Sequence, residues 1–77
     1  MPRFYFDLVD RDGEHIDDSG VDCASLDEAI LLARRTVSEI ARDAFRDTDQ
    51  TEIAIRIRDE RDGPVVLKVT LDTSRQS

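Results

Sequence analysis

Alternating apolar and polar residues at the start of the chain predict a β-strand over residues 3–9. Phe4, Phe6 and Leu8 fall on one face of such a strand, and the residues between them fall on the other. Residues 10–13 (DRDG) then have the composition of a tight turn, and an extended pattern resumes over residues 14–17 with Ile16 as its apolar anchor. We therefore expect a hairpin whose short second strand lies at a sheet edge.

A helical repeat follows the Asp18-Ser19-Gly20 turn. Ser25 and Glu28 have the spacing of a capping box, in which each side chain satisfies a backbone N–H group at the helix start. The helix is predicted to run from Leu26 to about Arg46. Its apolar stripe consists of Leu26, Ala29, Ile30, Ala33, Val37, Ile40, Ala41 and Ala44.

Two more alternating segments follow the helix. Residues 51–58 place Ile53, Ile55 and Ile57 on one face, and after a second turn at residues 60–63 (ERDG) the segment 64–71 places its own apolar residues inward. The inward residues of this last strand are Val65, Leu67, Val69 and Leu71. The polar tail over residues 72–77 is predicted to be frayed.

These elements predict an α+β fold with the order ββαββ. One long helix packs on a four-stranded antiparallel sheet of strand order 2-1-3-4, in a single domain over residues 1–71. A chain of 77 residues buries only about 60% of the surface that its unfolded form exposes. Such a thin core favours burial of further surface against a partner, and we expect self-association.

Charge and cysteine content narrow the classes of function. The chain carries 18 acidic and 11 basic residues, a net charge of −7, which disfavours general nucleic-acid binding. Cys23 is the single cysteine and has no disulfide partner within the chain. No apolar run is long enough to cross a membrane, and no leader pattern opens the chain, so we expect a cytoplasmic protein without a membrane role.

Several segments resemble a family of short bacterial proteins classed as a domain of unknown function. They are the opening MPRFYFD, the Asp12-Gly13 turn, the Asp18-Ser19-Gly20 step and the helix start LDEA over residues 26–29. Cys23 departs from the acidic or apolar residue that the family often has before its helix. The resemblance covers most of the chain and implies a small stand-alone bacterial domain, but it implies no activity.

The acidic stretch DRDGEHIDDSG over residues 10–20 raises the question of a metal site. With Gly13 at the glycine position of a calcium loop, Leu8 and Ser19 occupy the first and twelfth positions, where carboxylates are required. His15 and Cys23 have no second His or Cys to complete a zinc site. We therefore predict no metal, no cofactor and no catalytic residues.

Three apolar helix residues lie off the core stripe: Leu31, Leu32 and Phe45. Such residues either cover the ends of the sheet or form a contact with another protein. The leading hypothesis is a non-catalytic protein-interaction or regulatory module that forms a homo-oligomer or binds an unidentified protein partner.

Two alternatives come from other classes. The outward face of the sheet is predicted to carry Arg3, Tyr5, Arg56, Arg58 and Lys68, a basic and aromatic set that could bind single-stranded nucleic acid, although the net charge opposes it. Pro2, once Met1 is removed, resembles the amino-terminal base of small tautomerases, with Arg56 or Arg58 as the cation that lowers its pKa.

Overall fold

The computed structural model describes residues 1–61 and 63–76, and these residues form an α+β fold with one helix on an antiparallel sheet. The α+β class and the single long helix are confirmed. The elements are β1 (Arg3–Asp10), β2 (Gly13–His15), β3 (Val21–Asp22), α1 (Leu26–Asp47), β4 (Glu52–Arg58) and β5 (Val65–Thr70).

The sheet has five strands in place of the predicted four. The path runs β2-β1-β4-β5, and β3 is a further partner of β1. The predicted order 2-1-3-4, which is β2-β1-β4-β5 in the numbering of the structure, is therefore incomplete, because it lacks the short strand β3. The register places Leu8 opposite His15 and Phe4 opposite Val21, so β2 and β3 follow one another along the same edge of β1. Residues 16–20 leave the sheet between them.

The core lies between α1 and the inner face of β1, β4 and β5. Ile53, Ile55 and Ile57 are buried there, as the alternation predicts. The helix contributes small buried residues, Ala29, Ala33, Val37 and Ala41, which allow its backbone to approach the sheet closely. Phe4 and Cys23 complete the buried set at the start of β1 and just before the helix.

The start of α1 has the predicted cap. The Ser25 hydroxyl accepts the Glu28 N–H at 3.2 Å, and the Glu28 carboxylate accepts the Ala24 N–H at 2.9 Å. These bonds satisfy backbone donors that the first helical turn leaves without partners. The helix therefore begins at Leu26, as predicted, and ends at Asp47, one residue beyond the predicted end.

Two local predictions need correction or lie outside the described residues. Ile16 is 52% exposed and does not anchor a strand, because β2 ends at His15 and the chain turns away there. The backbone of residues 71–76 has no regular secondary structure, and Ser77 of the predicted tail lies outside the described residues. So does Asp62 of the second predicted turn.

Candidate interaction surfaces of the sheet

The outer face of the sheet, opposite the helix, is organised around a buried carboxylate. Asp7 on β1 is fully buried, although the sequence pattern placed it on a solvated face. Arg56 donates to its Oδ2 from Nε at 3.0 Å and from Nη2 at 2.9 Å. Arg58 donates from Nε to Oδ2 at 2.6 Å and from Nη2 to Oδ1 at 3.0 Å. Two guanidinium groups thus neutralise one carboxylate and satisfy both of its oxygens.

Residues 16–20 form a bulge that covers Asp7. The Asp17 N–H donates to Asp7 Oδ1 at 3.0 Å, and the Asp17 side chain accepts the Phe6 N–H at 3.1 Å. The same side chain accepts the Ser19 and Gly20 N–H groups at 3.0 and 3.1 Å. The Asp17 carboxylate therefore takes the place of a strand carbonyl at the point along β1 between its pairing with β2 and its pairing with β3.

The electrostatics follow from these contacts. Hydrogen bonds from Arg58 are the main reason that the pKa of Asp7 falls from 3.8 to about 2, against the opposing effect of burial. The pKa of Asp17 is also lowered, chiefly by the hydrogen bond from the Phe6 N–H. Both carboxyl groups are ionised at neutral pH and are held by internal donors.

The five residues predicted as a nucleic-acid surface are brought to one face, but each is engaged within the chain. Arg56 also donates to Glu14 at 2.9 Å, and Arg58 lies over the Tyr5 ring with 5.0 Å between the guanidinium carbon and the ring centroid. Arg3 pairs with Asp22 at 3.2 Å, and Lys68 with Glu52 at 3.5 Å. The cations of this face are neutralised by neighbouring acids.

The sequence pattern did not predict the roles of Asp7 and Asp17, which hold the arginines and the 16–20 bulge in place. The one signal for Asp7 is the strand register, because it faces Arg56 directly across the β1–β4 ladder. Opposite charges at facing positions stabilise a sheet, and the alternation pattern alone assigns both residues to the same face.

A hollow of about 500 Å³ lies beside this network on the outer face. Its apolar floor includes Val9, Ala54 and Val66. Its charged rim is internally paired: Arg11 bonds Asp49, and the Arg56–Glu14 and Lys68–Glu52 pairs flank the floor. The rim therefore offers a ligand little unpaired charge.

The three helix residues predicted as a protein contact differ in their placement. Leu32 and Phe45 are partly buried and pack against the core, whereas Leu31 is 49% exposed. Leu31 therefore remains the accessible member of the set.

The second edge of the sheet is formed by β5, whose outer side faces no strand of the described chain. Leu71 donates its N–H to the Thr51 carbonyl at 2.8 Å, so the ladder with β4 continues one residue beyond β5. Because hydrogen-bonded and non-bonded pairs alternate in antiparallel ladders, residues 65, 67, 69 and 71 direct their backbone groups towards β4. Val66, Lys68 and Thr70 direct theirs outwards. We call this strand with its outward backbone groups the open edge.

Apolar side chains accompany the open edge. Val66 is 55% exposed on the outer face, and Leu71 is 48% exposed at the end of the strand. On the helix side, a groove of about 420 Å³ lies between α1 and β5, lined by Ile30, Arg34, Val37, Ser38, Leu67, Lys68 and Val69. A regular, mainly apolar edge of this kind is available to pair with another strand.

The residues considered for chemistry lie apart from one another. Cys23 is buried, and burial raises the pKa of its thiol. His15 contacts Asp10 at 3.4 Å, and both guanidinium groups considered as partners for Pro2 bind Asp7 instead. Within residues 1–61 and 63–76, no three His, Cys, Asp or Glu side chains are grouped so that they could hold a metal ion. The helix in this part of the chain is not long and apolar enough to cross a membrane.

Comparison with known families identifies the chain. The model of the domain of unknown function DUF6894 matches residues 3–72. The chain belongs to this family. The DUF6894 match spans every strand and the helix, from β1 to the residue after Leu71. No curated protein and no solved structure matches the chain.

Proposed function

We propose that this DUF6894 domain is a non-catalytic protein-interaction module that self-associates in the cytoplasm. The observation that supports the proposal is the open edge, a six-residue strand whose outward backbone groups face no strand among the described residues. The exposed side chains of Val66 and Leu71 accompany it. Sheet edges that remain single in solution are usually shortened, bulged or charged. The open edge carries one charged residue, Lys68.

The outer face supports this assignment indirectly. A nucleic-acid surface needs cations that can neutralise phosphates, but Arg56 and Arg58 already hold the buried Asp7. Displacing them would leave the buried Asp7 carboxylate without a cationic partner, which costs several kcal/mol in typical proteins. The open edge needs no such rearrangement to make contacts.

The experiment measures the native mass of the untagged protein by light scattering over a hundredfold concentration range. We expect a concentration-dependent oligomer. Val66→Glu should weaken association at least about tenfold, because it places a charge on the exposed apolar side chain that accompanies the open edge. A monomer at every concentration would reject self-association.

The chain offers a matched control for this variant. Ile16 is 52% exposed and Val66 is 55% exposed, and they lie on opposite edges of the sheet. Ile16→Glu makes the same change in net charge but should leave the mass unchanged. The reverse outcome, dissociation by Ile16→Glu alone, would place the contact at the other edge. A third variant, Leu31→Glu, reports whether the exposed side of the helix takes part.

A further inference from the structure

We propose that the partner of the open edge is a second copy of this chain. The β5 strands of the two copies pair antiparallel, and the two-fold axis that relates the copies passes between their two Val69 residues. The inference rests on the proposed self-association and specifies its geometry. The two sheets would then form one continuous sheet of ten strands, since each copy contributes five.

The backbone of β5 complements itself. Val66, Lys68 and Thr70 present their N–H and C=O groups at the free side of the strand. In a two-fold antiparallel pair these groups meet their counterparts only when one outward residue faces another. Three registers satisfy this condition and retain most of the strand, with the axis at Leu67, Lys68 or Val69.

Side chains favour one of the three registers. An axis at Lys68 would place two ammonium groups directly opposite each other, which is unfavourable in a sheet. An axis at Leu67 would place Thr70 opposite Pro64, which has no N–H to donate. With the axis at Val69, Lys68 faces the partner's Thr70, and its two diagonal neighbours are the partner's Asp72 and the partner's Lys68. The two ammonium groups are then no longer directly opposite each other, and each has a carboxylate at a diagonal position.

The groove beside α1 supports the same register. Leu71 continues the alternation of β5 onto the helix side, and its N–H bond to Thr51 keeps it in the ladder. Pairing about Val69 places the partner's Leu71 opposite Leu67, which lines the groove together with Ile30 and Val37. Two half-exposed leucines, one from each copy, would thus be buried in two equivalent grooves.

A proline substitution tests whether this edge is the contact. The Thr70 N–H points away from β4, so Thr70→Pro leaves the internal ladder intact and removes two intermolecular hydrogen bonds by symmetry. We expect the dimer dissociation constant to rise about tenfold or more, with the circular dichroism spectrum unchanged. Thr70→Val is the matched control, since it keeps the N–H and should keep the dimer.

Cysteine substitutions at three successive positions determine the register. With the axis at Val69, the two copies of residue 69 form a non-hydrogen-bonded pair about 4.5 Å apart, within the range that a disulfide spans. Val69→Cys should therefore form a disulfide-linked dimer under mild oxidation. Leu67→Cys and Lys68→Cys should run as monomers on a denaturing gel without reductant, and the unmodified protein, with Cys23 buried, is the background.

Failure of the geometry and failure of the function give different results. A wild-type dimer that persists in Thr70→Pro, or that cross-links through position 67 or 68 instead of 69, overturns the proposed pairing and leaves self-association standing. A wild-type protein that is monomeric by light scattering overturns both.

Discussion

The two edges of the sheet are finished by different means. On the β2–β3 edge the ladder is interrupted by the 16–20 bulge, and the Asp17 carboxylate accepts the Phe6 N–H that an outer strand would otherwise bind. On the open edge β5 runs regularly from Val65 to Thr70, and its outward backbone groups face no strand of the described chain. We call the first the closed edge, because its two strands are short and the backbone of β1 between them is capped by the Asp17 side chain. The second runs as a regular strand that is available to another backbone.

The difference shows what closing an edge requires. Asp17 alone accepts three backbone N–H groups, and the bulge that presents it covers a buried carboxylate held by two arginines. A buried charge is tolerated only when such a complete set of partners surrounds it. The open edge has one surface ion pair, Lys68 with Glu52, at 3.5 Å.

Among the changes that test this difference between the edges, removal of the Asp7 carboxylate should have the largest effect on stability. Asp7→Ala leaves Arg58 without its main acceptor and Arg56 with Glu14 alone, and we expect the free energy of unfolding to fall by about 3 kcal/mol. Urea denaturation measures the change. The control is Glu52→Ala on β4, which removes the exposed ion pair of Lys68 at the open edge and should cost less than about 1 kcal/mol. Equal losses in the two variants would contradict the assigned difference between the edges.

Acid should lower the stability that the Asp7 network provides at the closed edge, by slightly less than Asp7→Ala does. The pKa of Asp7 is lowered from 3.8 to about 2 in the folded protein, so its contribution is complete above about pH 5 and is lost as the pH falls through 2. Asp7→Asn does not titrate at this position, and the other acids affect both proteins alike. We expect the stability difference between wild type and Asp7→Asn to shrink by about 2 kcal/mol between pH 5 and pH 2. A difference that is constant with pH would refute the lowered pKa.

The bulge itself should be sensitive to a single added carbon. Gly20 has a φ of +74°, and a Cβ there would lie 2.7 Å from Arg3 Cγ and 3.0 Å from Tyr5 Cε1. Gly20→Ala should therefore cost about 1.5 kcal/mol from backbone strain and crowding together. In an Arg3→Ala background the crowding is partly relieved, and the cost measured by thermal denaturation should be smaller. An unchanged cost would show that crowding against Arg3 contributes nothing to the effect.

The inner face was predictable because its signals are local. The alternation around Ile53, Ile55 and Ile57 and the Ser25–Glu28 spacing each lie within a few residues, and the structure confirms both the buried isoleucines and the cap. Strand β3 has two residues, too few for any alternation to be visible. Ile16 was expected to be an anchor because of its apolar side chain, but the bulge that exposes it depends on contacts made by Asp17 elsewhere in the fold.

The outer face was harder to predict because its organising contacts are distant in sequence. Arg56 and Arg58 reach Asp7 across 49 and 51 residues, and a face containing all three can be read either as free cations or as an internal network. Only the strand register, with Asp7 opposite Arg56, decides between the two. The open edge raises the same difficulty, because the direction of its backbone groups follows from the ladder and not from the residue types.

The long sequence separation within the Asp7 network also has a consequence for the time course of folding. The capped helix and the β1–β2 and β4–β5 pairings join neighbouring parts of the chain, and such local structure forms quickly. The pairing of β1 with β4 must instead close a loop that contains the whole helix, so its entropic cost precedes any gain from the Asp7 ion pairs. We therefore expect β4 and β5 to come together before β1 docks, and a chain in that intermediate would expose the side of β4 that later pairs with β1.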